Sequence, residues 1–279
     1  MPVPKIMKFG GVATYFPGIE FQSGVDDRAA VFVKSNHEDI YGPEVVGLDA
    51  LRATNTIRVV DVVGSGVSEN GEFVLVLKAI LPKANQEMTR DFFQRFARQL
   101  ADMHRAGGSE LFGFEQDNFL GASHQPNPWN ENWTEFWIQS RLGYQLQMAK
   151  DNKLGGTELQ KLGETLINRL DTRLGFASRR PSLIHGDLWG GNWLRDRDGE
   201  PVLIDPAVYY ADREAEFGMT TLFPSLPPSF YDAYNEAWPM EDGWEDRVAI
   251  YRLYHLLNHL NLFGNSYLAK CLEILWRFA

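Results

Sequence analysis

A single cysteine, Cys271, occurs in the whole sequence, so no internal disulfide can form, and no Cys/His spacing resembles a zinc site. A reducing, cytoplasmic setting is the expectation. Basic residues are outnumbered: 27 Lys and Arg stand against 37 Asp and Glu, a formal charge of −10. That is the wrong sign for an extended contact with a phosphate backbone, so nucleic acid is not expected as a partner. A compact anion would have to be met locally, by one or two lysines and a divalent metal. No uninterrupted apolar run approaches the roughly 18 residues of a membrane span. The opening Met1-Pro2-Val3-Pro4-Lys5 lacks the basic and then apolar segments of a secretory leader. No membrane association is expected, and repeats and low-complexity tracts are missing as well.

What is present is the balance of a folded globular chain, with 44% hydrophobic and 13% aromatic residues against 23% charged. The 279 residues allow one large domain or two ordinary ones and a substantial core. A chain of this kind folds alone, and a monomer is expected. Val31-Phe32-Val33 ahead of Lys34 and the apolar run Phe73 to Leu77 read as strands. Between them Gly42-Pro43 opens a helix with Val45, Leu48 and Leu51 on one face. After Pro82 the texture changes. Asp91 to Arg105 carries Phe92, Phe96, Leu100 and Met103 at helical spacing, and Trp133 to Asp151 and Glu158 to Leu174 read as further helices. Gly113 to Trp129, rich in Gly, Asn and Pro, predicts a packed irregular loop. The expected architecture is α+β and bilobal: a small antiparallel-sheet lobe over residues 1–82, and a larger, mainly helical lobe over 83–279. The cleft between them is a natural place for a small ligand.

The segment that carries chemistry runs from His185-Gly-Asp187 to Asn192, and then to Asp205-Pro206-Ala207. Asp198-Gly199 between two apolar runs signals a hairpin, so Asn192 enters one strand and Asp205 leaves the other. The two ends of a tight hairpin lie side by side. Asn192 and Asp205 can therefore offer two oxygens to one hard cation such as Mg²⁺, while Asp187 projects from the preceding loop toward the same point. Phosphoryl transfer uses such a bound metal together with a carboxylate to accept the proton of the attacking hydroxyl. The order His-x-Asp-x-x-x-x-Asn and then a strand-end Asp is that of the protein-kinase catalytic machinery. An ordinary polar turn with a strand-end cap is the plainer alternative.

That template requires a lysine on a strand of the small lobe, paired with a glutamate on the next helix, to hold the phosphates of ATP. Lys34 and Glu44 occupy those places, although an acid in a first helical turn is also favoured by the helix dipole alone. Gly10 and Gly11 could bring backbone N–H groups to phosphate, or simply form a turn.

At this point the residues resemble the fructosamine kinases, or ketosamine 3-kinases, within the group that includes aminoglycoside phosphotransferases and choline kinases. His185-Gly-Asp-Leu-Trp189-Gly-Gly-Asn192 is similar to their signature, and the resemblance extends through Ile204 to Glu214, through Phe112 to Trp133, and through Tyr254 to Gly264. It implies a kinase-like bilobal fold and transfer of the ATP γ-phosphate to the 3-hydroxyl of a ketosamine, either a small molecule or a glycated protein, in deglycation. It further implies Asp187 as catalytic base, Asn192 and Asp205 as magnesium ligands, Lys34 as phosphate lysine with Glu44 as partner, and Trp189 facing the sugar. In the interlobe hinge, where the backbone of Leu77 and Ala79 would recognise adenine, Lys78 replaces the usual acidic residue. An aminoglycoside or amino-alcohol acceptor, or a pseudokinase that only binds nucleotide, is the alternative.

The C-terminal element also has a reading of its own. With Leu253, Leu256, Leu257 and Leu260 on one helical face, Tyr254, His255, Asn258, His259 and Asn261 fall on the other, where no charged residue appears. Neutral donors and acceptors suit either sugar hydroxyls or a buried hydrogen-bond network. Asn258 and His259 are placed near the substrate on the first of these readings. Trp189 offers an aromatic face to a sugar ring, while Trp129 and Trp133 are assigned to packing.

Overall fold

A computed structural model describes residues 5–8, 19–21, 30–80, 87–171, 179–223 and 226–279. Gly10 and Gly11, and the expected lobe boundary at residue 82, lie outside the described residues.

Five antiparallel strands form the first sheet: β1 (Lys5–Lys8), β2 (Ile19–Phe21), β3 (Ala30–Asn36), β5 (Val62–Val67) and β6 (Phe73–Lys78), in the order β1-β3-β6-β5-β2. Strand alternation sorts its side chains. Val31, Val33, Val63, Val74 and Val76 make a separate valine cluster, while Phe32, Val62, Leu75 and Leu77 join the main core. Lys34, two residues beyond Phe32, shares the main-core face, so the two-residue period of the strand aims its ammonium inward. Against this face packs α1 (Tyr41–Ala53), seated on Leu48 and Leu51, with Gly47 facing Val208 and Pro206.

The short strand β4 (Arg58–Val59) leaves that sheet and pairs in parallel with β11 (Pro201–Leu203), itself one arm of the hairpin with β10 (Trp193–Arg195). An Arg58–Asp196 ion pair lies beside this junction. The two parts of the chain are therefore joined by main-chain hydrogen bonds as well as by chain connectivity.

Most of the remainder is helical. The helix α2 (Arg90–Ala106) starts at Thr89, whose hydroxyl accepts the N–H of Phe92, and buries Phe92, Phe96, Leu100 and Met103 completely. α3 (Trp133–Trp137) and α4 (Gly143–Asp151) are one rod, as expected, interrupted by a π turn at Ile138–Leu142. α5 (Gly156–Ile167) is followed by a turn at 168–169, after which Leu170 and Asp171 are helical again; the last residues of the expected helix, 172–174, lie outside the described residues. The expected irregular loop contains a hairpin, β7 (Asn118–Leu120) with β8 (Ser123–Gln125), because a tight turn at Gly121 lets the two short segments pair. β9 (Pro181–Ile184) pairs with β12 (Tyr209–Asp212). α6 (Glu216–Leu222), α7 (Pro228–Ala237), α8 (Trp244–Phe263) and α9 (Leu268–Phe278) complete the core, with Gly264 stopping α8 as expected. Among the described residues no helix is long and apolar enough to cross a membrane.

Candidate active site

Lys34 is where the sheet meets the helical part. Its Nζ donates to both oxygens of Glu44, at 2.7 and 2.9 Å, and to Asp205 Oδ1 at 2.6 Å. Burial disfavours the ammonium, but the two carboxylates outweigh it and hold its pKa above the ordinary lysine value. The expected Lys34–Glu44 pair is thus present, and it reaches across to the hairpin.

Asp205 has a φ of +53°, a left-handed conformation that few residues other than glycine adopt and that Asp tolerates. Such strain persists where the surroundings over-determine it. Here the backbone is held on both sides: Ile204 N–H donates to Asn192 O at 3.0 Å and Ala207 N–H to His185 O at 2.9 Å. The Asn192 amide donates to the carbonyl and to Oδ2 of Asp187, at 2.8 and 2.9 Å, and lies 3.4 Å from the Asp205 carbonyl. Asp187, Asn192, Asp205, Lys34 and Glu44 therefore form one connected cluster. Among the described residues no hydrogen bond engages Asn192 Oδ1 or Asp205 Oδ2. Those two free oxygens fit a hard divalent cation that takes its remaining ligands from phosphate and water. Burial lifts the Asp187 carboxyl well above the usual carboxylate range, against the hydrogen bond from Asn192. A raised proton affinity suits a proton acceptor.

The loop that carries Asp187 is held from beneath. His185 Nε2–H donates to Ile204 O at 2.8 Å, and its Nδ1 accepts Asp187 N–H at 3.2 Å. Both ring nitrogens are thus satisfied in the neutral tautomer, and burial lowers the imidazole pKa accordingly. The buried carboxylate of Glu216 accepts the N–H groups of His185 at 2.6 Å and Gly186 at 3.0 Å. Glu216 was missed in the sequence, where an acid at the start of a helix reads as a dipole partner. From the other side, the β7–β8 hairpin reaches the segment after Asp205. Asn118 Nδ2 donates to Val208 O at 2.7 Å and Gln125 Nε2 to Ala207 O at 3.1 Å.

A cavity of about 230 Å³ opens beside Asp205, lined by Phe32, Val60, Leu77, Lys78, Ala79, Ile80, Leu194 and Ile204. Leu77 and Ala79, the residues expected at the hinge, are both in this lining. The Lys78 N–H is occupied by Asp61 O at 2.9 Å, and its ammonium stands 3.6 Å from the Asp61 carboxylate. An apolar slot that ends at Asp205, the partner of Lys34, is the kind of concavity that takes a small molecule.

Trp189 is 38% exposed and folds over Gly191, where a Cβ would lie 2.5 Å from the indole, so a larger residue would displace the ring. Its ring centroid lies 5.9 Å from Phe223, which in turn lies 5.4 Å from His259. His259 is thereby linked to the loop of Asp187 and Trp189 through a residue that no motif marked. Asn258 is not part of this surface. It is buried, its Oδ1 accepting Gln145 Nε2 at 3.2 Å and its amide donating to Leu120 O at 3.3 Å. Tyr254 donates to Gln125 Oε1 at 2.7 Å and Asn261 to Gln145, so most of the neutral face of α8 ties helices and hairpin together. Trp133 is core, whereas Trp129 is 46% exposed and leans on Tyr210.

The fructosamine kinase family profile matches residues 19–278. A Synechocystis protein named as a probable ketoamine kinase is 38% identical over 260 residues, covering 90% of this chain and 85% of its own. The chloroplastic protein-ribulosamine 3-kinase of Arabidopsis thaliana is 38% identical over 253 residues, covering 89% of this chain and 76% of its own. A crystal structure from Haemophilus somnus that carries the fructosamine-3-kinase name superposes with a TM-score of 0.81 at 29% identity, covering 95% of this chain and 92% of that one. An aminoglycoside phosphotransferase structure, at 11% identity and a TM-score of 0.60 over 99% of this chain and 95% of that one, shares the kinase-like fold. The chain belongs to the fructosamine kinase family, whose members are nucleotide-using phosphotransferases that act on a hydroxyl group.

Proposed function

We propose that this protein transfers the γ-phosphoryl group of ATP to the 3-hydroxyl of a ketosamine, the sugar–amine adduct left by glycation, and so initiates its removal. The observation that carries the reading is the meeting of Lys34 with Asp205 at 2.6 Å, next to Asp187 and Asn192. The substrate class is supported by the names of the relatives, ketoamine kinase and ribulosamine 3-kinase.

In this reading residues 1–82 form the nucleotide lobe and 83–279 the catalytic and acceptor lobe. Adenine enters the apolar slot against the backbone of Leu77 and Ala79. Lys34, oriented by Glu44, holds the phosphates. Asn192 Oδ1 and Asp205 Oδ2 would hold Mg²⁺, which when bound neutralises charge on the transferred group. Asp187 accepts the proton of the 3-hydroxyl as its oxygen bonds to the γ-phosphorus and the bond to the ADP oxygen breaks. Trp189 covers one face of the sugar, and His259 lies beyond Phe223, further along the acceptor side.

The test is incubation with ATP, Mg²⁺ and a fructosyl- or ribulosyl-lysine, with product followed by mass spectrometry. Addition of one phosphoryl group to the sugar is expected, and Asp187→Asn should abolish it while leaving nucleotide binding intact. Turnover of an aminoglycoside or amino alcohol but of no ketosamine would overturn the substrate while keeping the kinase.

A further inference from the structure

The aromatic row that starts at Trp189 does not stop at Phe223 and His259. Beyond Phe223 and His259 it reaches Phe263, 5.5 Å from the His259 ring, and Tyr267, 5.0 Å from it, the last two being 6.1 Å apart. The catalytic loop, the residue after α6, the last turns of α8 and the turn before α9 each supply a ring. His259 and Phe263 are four residues apart on α8 and so share one helical face. Phe263 is 56% exposed. A lone exposed phenylalanine would need no explanation, but this one ends a continuous row that begins two residues from Asp187.

A sugar covers about one aromatic face, so the rings beyond Phe223 exceed what the sugar can use. The remaining part of a ketosamine is its amine: a secondary ammonium at neutral pH, followed by the carrier. Aromatic faces attract such a cation, and a hydrocarbon chain gains by leaving water against them. His259 supports this assignment. Its Nδ1–H donates to His255 O at 2.7 Å, which leaves Nε2 as an acceptor, and burial lowers its pKa so that it does not compete as a cation. The row itself holds no cation that would receive a carboxylate placed beside the nitrogen.

We propose that Phe223, His259, Phe263 and Tyr267 form a subsite for the amine side of the acceptor, selecting ketosamines whose nitrogen bears an extended alkyl chain, as the side chain of a glycated lysine does. This rests on the ketosamine reading given above. The experiment compares two acceptors with the same sugar, one built on methylamine and one on the ε-amine of Nα-acetyl-lysine N-methylamide, in wild type, Phe263→Ala and Phe263→Trp.

Phe263→Ala should raise KM for the lysine acceptor roughly 3- to 10-fold. It should leave kcat unchanged and KM for the methylamine acceptor unchanged, and Phe263→Trp should restore the lysine KM. Phe263 is exposed, so the variant should fold as wild type does, and thermal unfolding checks this directly. Equal changes with both acceptors, or none with either, would overturn the subsite and leave the kinase assignment standing. Failure of wild type to phosphorylate either ketosamine would overturn the substrate reading and the subsite with it.

Discussion

Gly186 and the carbonyl of Ala207 approach so closely that a Cβ on Gly186 would lie 2.1 Å from the Ala207 oxygen. Gly186 also has a φ of +81°, where any side chain is strained. The contact seals the loop of Asp187 to the segment that follows Asp205, so one glycine sets the distance between the proposed base and the proposed metal ligand. Gly186→Ala should lower stability by on the order of 3 kcal/mol and remove phosphoryl transfer. Thermal unfolding and a nucleotide-turnover assay check both; wild-type values in either would show that the loop can open without consequence.

The bridging position of Lys34 leads to a graded prediction. Lys34→Met removes the one cation that Glu44 and Asp205 share and should reduce turnover by about 10²-fold, the scale for losing one aimed donor. Lys34→Arg should not rescue it, because a planar guanidinium cannot replace a compact ammonium between two carboxylates. Glu44→Gln, which leaves the Asp205 contact in place, should be milder, about tenfold, and appear mainly in KM for the nucleotide. Steady-state kinetics on the three variants settle the order.

His255 predicts an acid limit on stability. Burial first, then His259 and Arg141, push its pKa from the ordinary histidine value of 6.5 down to about 3. Between these values the unfolded chain binds one more proton than the folded one, so stability is lost as pH falls through 6.5 toward 3. Buried carboxylates act in the opposite sense: Asp212, lifted to about 6 by burial and by Glu214, favours the folded state as pH falls. A difference measurement separates the two. Between about pH 7.5 and pH 5.5, wild type should lose roughly 1.4 kcal/mol more stability than His255→Phe. Denaturant unfolding at the two pH values gives the number, and parallel losses would remove His255 from the account.

The legible part of this protein was the part whose partners lie at fixed short spacing or on a regular element. The kinase order of groups singled out Lys34 at the end of a strand, and the Asp198-Gly199 turn brought Asn192 and Asp205 together. The neutral face of α8 was ambiguous because a buried amide and a sugar-binding amide carry the same chemistry. Only packing shows that Asn258 is held by Gln145 and Leu120 while His259 stands beside Phe223. Arg141 is an extreme case: fully buried, without a carboxylate partner among the described residues, its guanidinium 3.9 Å from the Tyr209 ring and hydrogen-bonded to the Pro126 carbonyl. In the sequence it is one arginine in a helix. Glu216 was hidden for the same reason, since its partners lie about thirty residues upstream.

Glu216 separates a positioning role from a purely structural one. Its carboxylate accepts two successive backbone N–H groups of the loop that carries Asp187 and the His104 Nε2–H at 3.3 Å, all buried. Glu216→Gln keeps the shape but supplies one acceptor oxygen where two N–H groups converge. One of those donors then faces an NH₂ group, at a cost of about 1–3 kcal/mol. The proposed nucleotide contacts on the sheet are untouched, so KM for the nucleotide should stay near wild type. The loop carrying Asp187 loses its support, and a displacement of even ~1 Å there costs about 10²-fold in rate. Glu216→Asp, which keeps both acceptors on a shorter arm, should recover part of kcat. Stability reduced as expected but kcat unchanged would make Glu216 a structural residue only, and the position of Asp187 would then have to be set from above, by Asn192 and the segment after Asp205.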